Sequence, residues 1–188
     1  MRTAATAFVF ASLCGAAYRQ HSSPASPYAG FQNRSVKALS DAETADLRAG
    51  RGMGLALAAE MNGLPGPAHV IELSDKIGLS EAQLLQARKL FVLMKAETVP
   101  IGLRPIAQET GLDQRFASKT FGLENLAEAT KSIGETQAAL RLGHLKFHLA
   151  MADILSPAQT ERYKAPRGYS NGAHHHPTHS RAQRRDDL

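Results

Sequence analysis

The 188-residue sequence has no tryptophan, and aromatic residues make up only 6% of it. Its one cysteine, Cys14, excludes a disulfide framework and a cysteine-rich zinc site within the chain. Runs of β-branched residues are absent, whereas alanine, leucine and glutamine are plentiful, and this composition favours an all-helical fold. Beyond a short apolar run near the N-terminus, no segment approaches the length of a membrane span.

Motifs of common enzyme classes are also missing. No serine lies in a G-x-S-x-G elbow, and there is neither a phosphate loop nor an H-E-x-x-H metal motif. The glycine-rich stretch GRGMG, residues 50–54, has no preceding strand and no lysine-threonine end. It therefore indicates a loose helix or a close packing point instead of a nucleotide loop. We predict that the chain is not an enzyme.

The chain is basic, with a formal net charge of +5 and a pI of about 9.6. Such a charge suits nucleic acid, an acidic membrane surface or acidic client proteins. The lysines and arginines are scattered, however, and are not interleaved with aromatic residues as in single-strand binders. We therefore predict no nucleic-acid partner.

The first 17 residues have the pattern of a secretory signal. Arg2 precedes a short apolar run, residues 8–13, and small residues follow, so cleavage after Ala16 or Ala17 is expected. The alternative, lipidation of Cys14, fits less well because Leu13 directly precedes it. The sequence thus predicts an exported protein.

A short phrase recurs as LSDAE at 39–43, LSEAQ at 79–83 and LSPAQ at 155–159. Serine is a strong helix N-cap, and glutamine or glutamate three residues later closes a capping box. Each copy therefore predicts a helix start. The predicted caps are Ser40 with Glu43, Ser80 with Gln83, and Ser156 with Gln159.

The periodicity predicts one helical domain, residues 39–165, after an extended arm, 18–38, and before a disordered tail, 166–188. Pro100 and Pro105 predict two kinks or a break near residues 99–105 of the long helix. The predicted helices span about 41–61, 67–77, 81 to a hairpin turn at 118–122, 123–154, and 156 to just before Pro166.

The helix predicted over 123–154 carries the clearest seven-residue repeat. Its first row is apolar throughout and its second row is mostly polar, so we expect it to pack along one face with coiled-coil-like geometry. The first row is Leu126, Ile133, Leu140, Phe147 and Ile154, and the second is Thr130, Gln137, His144 and Met151.

With LSEAQ and LSPAQ bracketing a long helical segment behind a predicted signal, residues 36–169 resemble the Spy/CpxP family of periplasmic proteins, which has the LTxxQ motif. NGLPGPAHVIELSDKIGLSEAQ and HLKFHLAMADILSPAQTERY are similar to its heavy-metal sensor subgroup. The resemblance implies a periplasmic, all-α fold: a long bent antiparallel helical hairpin with short flanking helices, paired into a cradle-like homodimer. Pro100 and Pro105 depart from the family pattern, which has a continuous helix at these positions.

His144 and His148, four residues apart, are expected to leave one helix face, with Met151 nearby. His69 and Glu72 form a second candidate pair, and such ligands suit zinc, copper, nickel or cobalt. The alternative is that these histidines are merely solvated or hydrogen-bonded. In the tail, His174, His175, His176 and His179 predict a loose metal chelate or a tail without function.

Three functions remain open at this point. The first is a metal-responsive envelope stress protein that uses the helical histidines. The second is an ATP-independent holdase for unfolded periplasmic clients, and the two can coexist because metal can stabilise the fold by mass action. The third is an interaction module that docks onto an envelope signalling protein.

Overall fold

The structure, a computed structural model, describes residues 26–169, which are all-helical and contain no strand. Two long helices pack along each other, and five shorter ones flank them. A short 3-10 turn, Phe31–Asn33, precedes the helices. These are α1 (Asp41–Arg48), α2 (Leu57–Glu60), α3 (Pro67–Glu72), α4 (Ser74–Ile77), α5 (Glu81–Ala117), α6 (Leu123–Ala152) and α7 (Pro157–Lys164).

The recurring phrase begins α1, α5 and α7. In each copy the serine hydroxyl accepts a hydrogen bond from the backbone N–H three residues later. The Glu or Gln side chain at that later position accepts from the serine N–H in return. The capping box thus satisfies backbone donors that the first turn leaves without an intrahelical partner.

Helices α5 and α6 contact each other along much of their length, joined by residues 118–122, where the turn was predicted. Hydrogen bonds and an ion pair connect α5 to α6 and to Ile154, two residues beyond the end of α6. From one pair to the next, the residue number rises along α5 and falls on the partner side. The pairs are Gln83 with Ile154, Glu97 with Lys146, and Gln108 with Ser132.

The predicted break at the prolines is wrong, because α5 runs without interruption through Pro100 and Pro105. Contacts with α6 lie on both sides of the two prolines, at Glu97 and Gln108. Between them, α1 approaches so closely that a Cβ on Gly102 would lie 2.5 Å from the Leu47 carbonyl oxygen. A glycine is therefore required where the two backbones meet.

The helix predicted over 41–61 is also wrong, because the chain leaves helical geometry between α1 and α2. Gly50, Met53 and Gly54 in this loop have positive φ angles of 59°, 45° and 82°. Left-handed backbone ends a right-handed helix, so the glycines break the segment rather than weaken it. The segment 67–77 is similarly divided at Leu73, and Gly78 caps it with φ 69°.

The main core lies at the end of the molecule where both LSxxQ copies begin their helices. It joins α3, α4, α5 and the α6–α7 region; its buried members are Val70, Leu73, Ile77, Ala87, Met151, Leu155 and Tyr163. The apolar row of α6 is buried at Ile133, Leu140 and Phe147 and partly buried at its two ends. In the second row Thr130 and Gln137 are exposed, whereas His144 and Met151 are buried.

Both ends of the described chain are attached to the helical body. Lys37 pairs with Asp113 of α5 at 2.7 Å, and Val36 is buried, so the arm is not free at this point. The body also extends past residue 165, because Arg167 and Tyr169 contact Glu60. Within the described residues, no helix is both long enough and apolar enough to span a membrane.

Candidate functional site

The two helical histidines lie inside the protein rather than on an open face. His144 is only 3% exposed and His148 only 8% exposed. Their rings face the segment that links α1 to α3. A Cβ on Gly52 would lie 3.6 Å from His144 Nδ1, and one on Gly66 would lie 2.7 Å from His148 Nε2. Gly66 therefore makes room for the His148 ring, whereas a side chain at position 52 would only contact the His144 ring.

His148 has a structural hydrogen bond. Its Nδ1 lies 2.6 Å from the Leu64 carbonyl oxygen. Because a carbonyl oxygen only accepts, Nδ1 carries the hydrogen and donates it. His148 thus fixes the NGLPGP turn onto α6, which is the hydrogen-bonded alternative considered for this residue.

His144 has a different environment. Its Nε2 is buried and has no hydrogen-bond partner among residues 26–169. Burial, together with the positive charges of His148 and Lys95, lowers the pKa of His144, so the ring stays neutral to lower pH than usual. Met151, the third residue of the predicted set, is fully buried in the core beside Val70 and Tyr163.

The side chains of the second predicted pair, His69 and Glu72, have different surroundings. Glu72 is exposed on α3. His69 instead faces Glu60, with 3.5 Å between His69 Nδ1 and Glu60 Oε1. The structure thus places Glu60 beside His69, and Glu60 was not among the predicted site residues.

Glu60 is the centre of a buried polar cluster at the end of α2. It is 6% exposed, and its Oε1 accepts a hydrogen bond from the Tyr163 hydroxyl. Arg167 Nε lies 3.3 Å from the same oxygen, and the Tyr169 hydroxyl lies 3.4 Å from it. Oε2 is buried without a hydrogen-bond partner in the described chain. The cluster thus joins α2, α3, α7 and the segment after α7 around one carboxylate.

The pKa of Glu60 reflects two opposed influences. Burial raises it, whereas hydrogen bonds from His69 and Tyr163 and the charges of His69 and Arg167 outweigh burial and lower it to about 2. Burial and the adjacent carboxylate raise the pKa of Tyr163 well above its usual value. The carboxylate is therefore charged and the phenol neutral across the physiological range.

The metal hypothesis depends on whether these groups converge. Among residues 26–169 no group of three His, Cys, Asp or Glu side chains is arranged to hold a metal ion. The tail cluster, His174, His175, His176 and His179, lies outside the described residues.

The two close copies of the phrase meet in space. Gln83 Nε2 donates to Gln159 Oε1 at 2.9 Å, and Gln159 Nε2 donates to Gln83 Oε1 at 2.8 Å. Each amide also donates to one backbone carbonyl, Ile154 for Gln83 and Gly78 for Gln159. Each amide oxygen also accepts a hydrogen bond from the backbone N–H of its own cap serine. Both side chains therefore cap their own helices and also join the start of α5 to the start of α7.

A pocket of about 650 Å³ opens beside the Glu60 cluster. The loop 50–54 forms one wall, and α5 forms another with Phe91, Met94 and Lys95. Glu60, His69 and the segment after α7 close the remaining side. Apolar side chains and charged groups thus face the same space.

No family model, no curated protein and no solved structure matches this chain.

The sequence reading missed Glu60 and its partners Tyr163, Arg167 and Tyr169. One signal was available: Glu60 is the only charged residue between Arg51 and His69, in a stretch that is otherwise largely apolar. A lone carboxylate in such a stretch is either exposed or buried with partners. Its partners lie about a hundred positions away, so spacing could not have identified them.

Proposed function

We propose that this protein is a periplasmic, ATP-independent holdase of the Spy/CpxP type that binds unfolded clients on the outer faces of α5 and α6. The observation that carries the proposal is a set of large apolar side chains that remain exposed on both long helices. They include Leu85, Val92 and Leu103 on α5, and Leu142 and Leu149 on α6.

The spacing of these residues places them in rows. Leu85 and Val92 are seven residues apart, as are Leu142 and Leu149, so each pair lies on one helix face. Exposed apolar side chains that share a helix face are candidates for a binding surface. Rows of this kind on rigid helices suit unfolded chains, which offer apolar side chains without a fixed sequence.

Basic residues accompany the rows. Arg88 and Lys89 are exposed between Leu85 and Val92, and Arg141 is exposed next to Leu142. Positive charge next to apolar surface attracts acidic unfolded chains and raises the encounter rate. The surface thus combines the two properties that a holdase for acidic clients requires.

The joined LSxxQ copies support the family assignment within this proposal. In the proposed assembly α5 and α6 form the bent antiparallel hairpin of the family, and two copies pair into a cradle. Exposed apolar rows on both long helices are compatible with such a concave, client-binding surface.

The test measures aggregation of a chemically unfolded, acidic client protein in the presence of the mature chain, residues 18–188. Stoichiometric protein is expected to suppress light scattering, and the double variant Leu85→Ser/Val92→Ser is expected to lose most of this effect. A control with Phe116→Ser/Leu123→Ser alters exposed apolar residues near the turn between α5 and α6. No suppression by the unmodified chain, or equal loss in both variants, would reject the proposed client surface.

A metal-responsive role is a second proposal, favoured by His144. Its buried Nε2 has no partner in the described residues, and its lowered pKa keeps a lone pair available for zinc, copper, nickel or cobalt. Calorimetric titration of the mature chain is the test, with His144→Gln compared with a variant that replaces all four tail histidines by serine. Loss of metal binding in His144→Gln alone would support a site in the helical body. Loss of metal binding in the tail variant alone would place the metal in the tail. No binding by the unmodified chain would end the metal proposal.

A further inference from the structure

The glycine-rich stretch GRGMG lines the pocket beside Glu60 with all five of its residues. Across the pocket, α5 contributes Phe91 and Met94, and the α2 region contributes Leu57. The volume of about 650 Å³ lies within the range of small-molecule sites, roughly 300–1,000 Å³. The loop thus forms the wall of a cavity large enough for a small organic ligand.

The charges that line the pocket are paired, with one exception. Arg51 Nε lies 2.5 Å from Asp46 Oδ1, so these two residues neutralise each other at the pocket edge. Arg167 lies against Glu60, whose Oε1 also accepts a hydrogen bond from the Tyr163 hydroxyl. Lys95 has no carboxylate within salt-bridge distance anywhere in residues 26–169, although its ammonium lies 5.9 Å from the Phe91 ring centre. Lys95 is therefore the unneutralised charge that lines the pocket.

Met53 is held in an unusual backbone conformation at this loop. Its φ of 45° lies in the left-handed region, which residues with a side chain seldom adopt. Gly50 and Gly54 on either side also have positive φ, so the whole loop is shaped around this position. The result is an apolar, partly exposed methionine that lines the pocket. Such backbone conformations persist only where the surrounding structure holds them in place, and they are frequent at ligand-binding sites.

We propose that this pocket binds a small monocarboxylate with an aliphatic body, with Lys95 pairing with the carboxylate and Met53, Phe91 and Met94 covering the apolar part. Glu60 does not repel such a ligand, because Arg167 already neutralises it. The site lies on the α1 and α3 side of α5, so the inference is independent of client binding on the outer helix faces.

The test is an NMR titration of the full mature chain, labelled at its methionine methyl groups, with octanoate as the probe. Met53 and Met94 line the pocket, whereas Met61 is exposed elsewhere and Met151 is buried in the core. Saturable shifts confined to Met53 and Met94 are expected. Octanol and octylamine are the neutral and cationic controls and are expected to bind at least about fivefold more weakly, because neither pairs with Lys95.

Two variants connect the shifts to the proposed contacts. Lys95→Gln is expected to weaken octanoate binding about fivefold or more. Lys76→Gln, at an exposed position on α4 outside the pocket and outside the proposed client surface, is expected to leave it unchanged. Met53→Gly removes the apolar cover while suiting the positive φ, so the fold is kept and binding weakens. The proposal is overturned by absent or unsaturable shifts, by equal binding of octanol, or by equal effects of the two lysine variants. Binding of an apolar peptide with a free C-terminus, but not of octanoate, would overturn the ligand class.

Discussion

The reciprocal amide pair between Gln83 and Gln159 gives the most direct test of the fold. Changing Gln83 to alanine removes both bonds to Gln159, the bond to the Ile154 carbonyl and the bond from the Ser80 N–H. A typical intramolecular hydrogen bond contributes about 1 kcal/mol net, and an abandoned buried partner costs more. We therefore expect Gln83→Ala to lower the free energy of unfolding by about 3 kcal/mol.

Gln159→Ala is expected to have a similar effect, because Gln159 is buried and makes the equivalent set of bonds. The two residues share two bonds, so the double variant should cost less than the sum of the single ones. The expected coupling is about 1–2 kcal/mol in a double-mutant cycle. A coupling of this size is typical of residues in contact or in one hydrogen-bond network, whereas distant and independent sites are additive.

Urea unfolding followed by circular dichroism measures these values. Gln86→Ala is the matched control, since Gln86 is exposed one turn further along α5, and it should change stability by less than about 0.5 kcal/mol. If the single variants are as mild as the control, or if their effects simply add, the two LSxxQ copies do not join in solution and the packing of α7 described above is incorrect.

Two further predictions concern α5 and the Glu60 cluster. Gly102→Ala should destabilise the protein by about 1–3 kcal/mol in thermal or urea unfolding, since the new Cβ would meet the Leu47 carbonyl oxygen. Gly111→Ala, in the same helix with open space around it, should stabilise the protein by about 0.5–1 kcal/mol. Equal effects of the two variants would contradict the close approach of α1. Because folding lowers the pKa of Glu60 from 4.5 to about 2, the unfolded state binds more protons in that interval, and about 3 kcal/mol of stability present above pH 4.5 should be lost as the pH falls to 2. Glu60→Gln should be less stable at neutral pH and should lose less stability over the same interval, and an unchanged pH profile in this variant would show that Glu60 is not the responsible group.

The prolines and histidines show where reasoning from the sequence alone reached its limit. Pro100 and Pro105 remove backbone hydrogen bonds, and that local cost was foreseeable. The contacts that α5 makes with α6 on both sides of the prolines involve residues well separated in sequence. His144 and His148 do share a helix face, but the loop and turn that cover them come from another part of the chain.

The starts of α1, α5 and α7 were determined by the sequence itself. A capping box uses only a serine and the side chain three residues later, so LSDAE, LSEAQ and LSPAQ each define a start without help from the rest of the chain. The lack of β-branched runs and the seven-residue repeat likewise indicated helices, because these preferences act within a few turns.

The tertiary structure alone decided what those elements do together. It paired the two cap glutamines, enclosed Glu60 with a tyrosine and an arginine from the C-terminal region, and formed a pocket from the glycine-rich loop. The physical reason is the range of the interactions. A cap is satisfied within one turn, whereas a buried carboxylate or amide is stabilised only by partners that folding brings from distant parts of the chain.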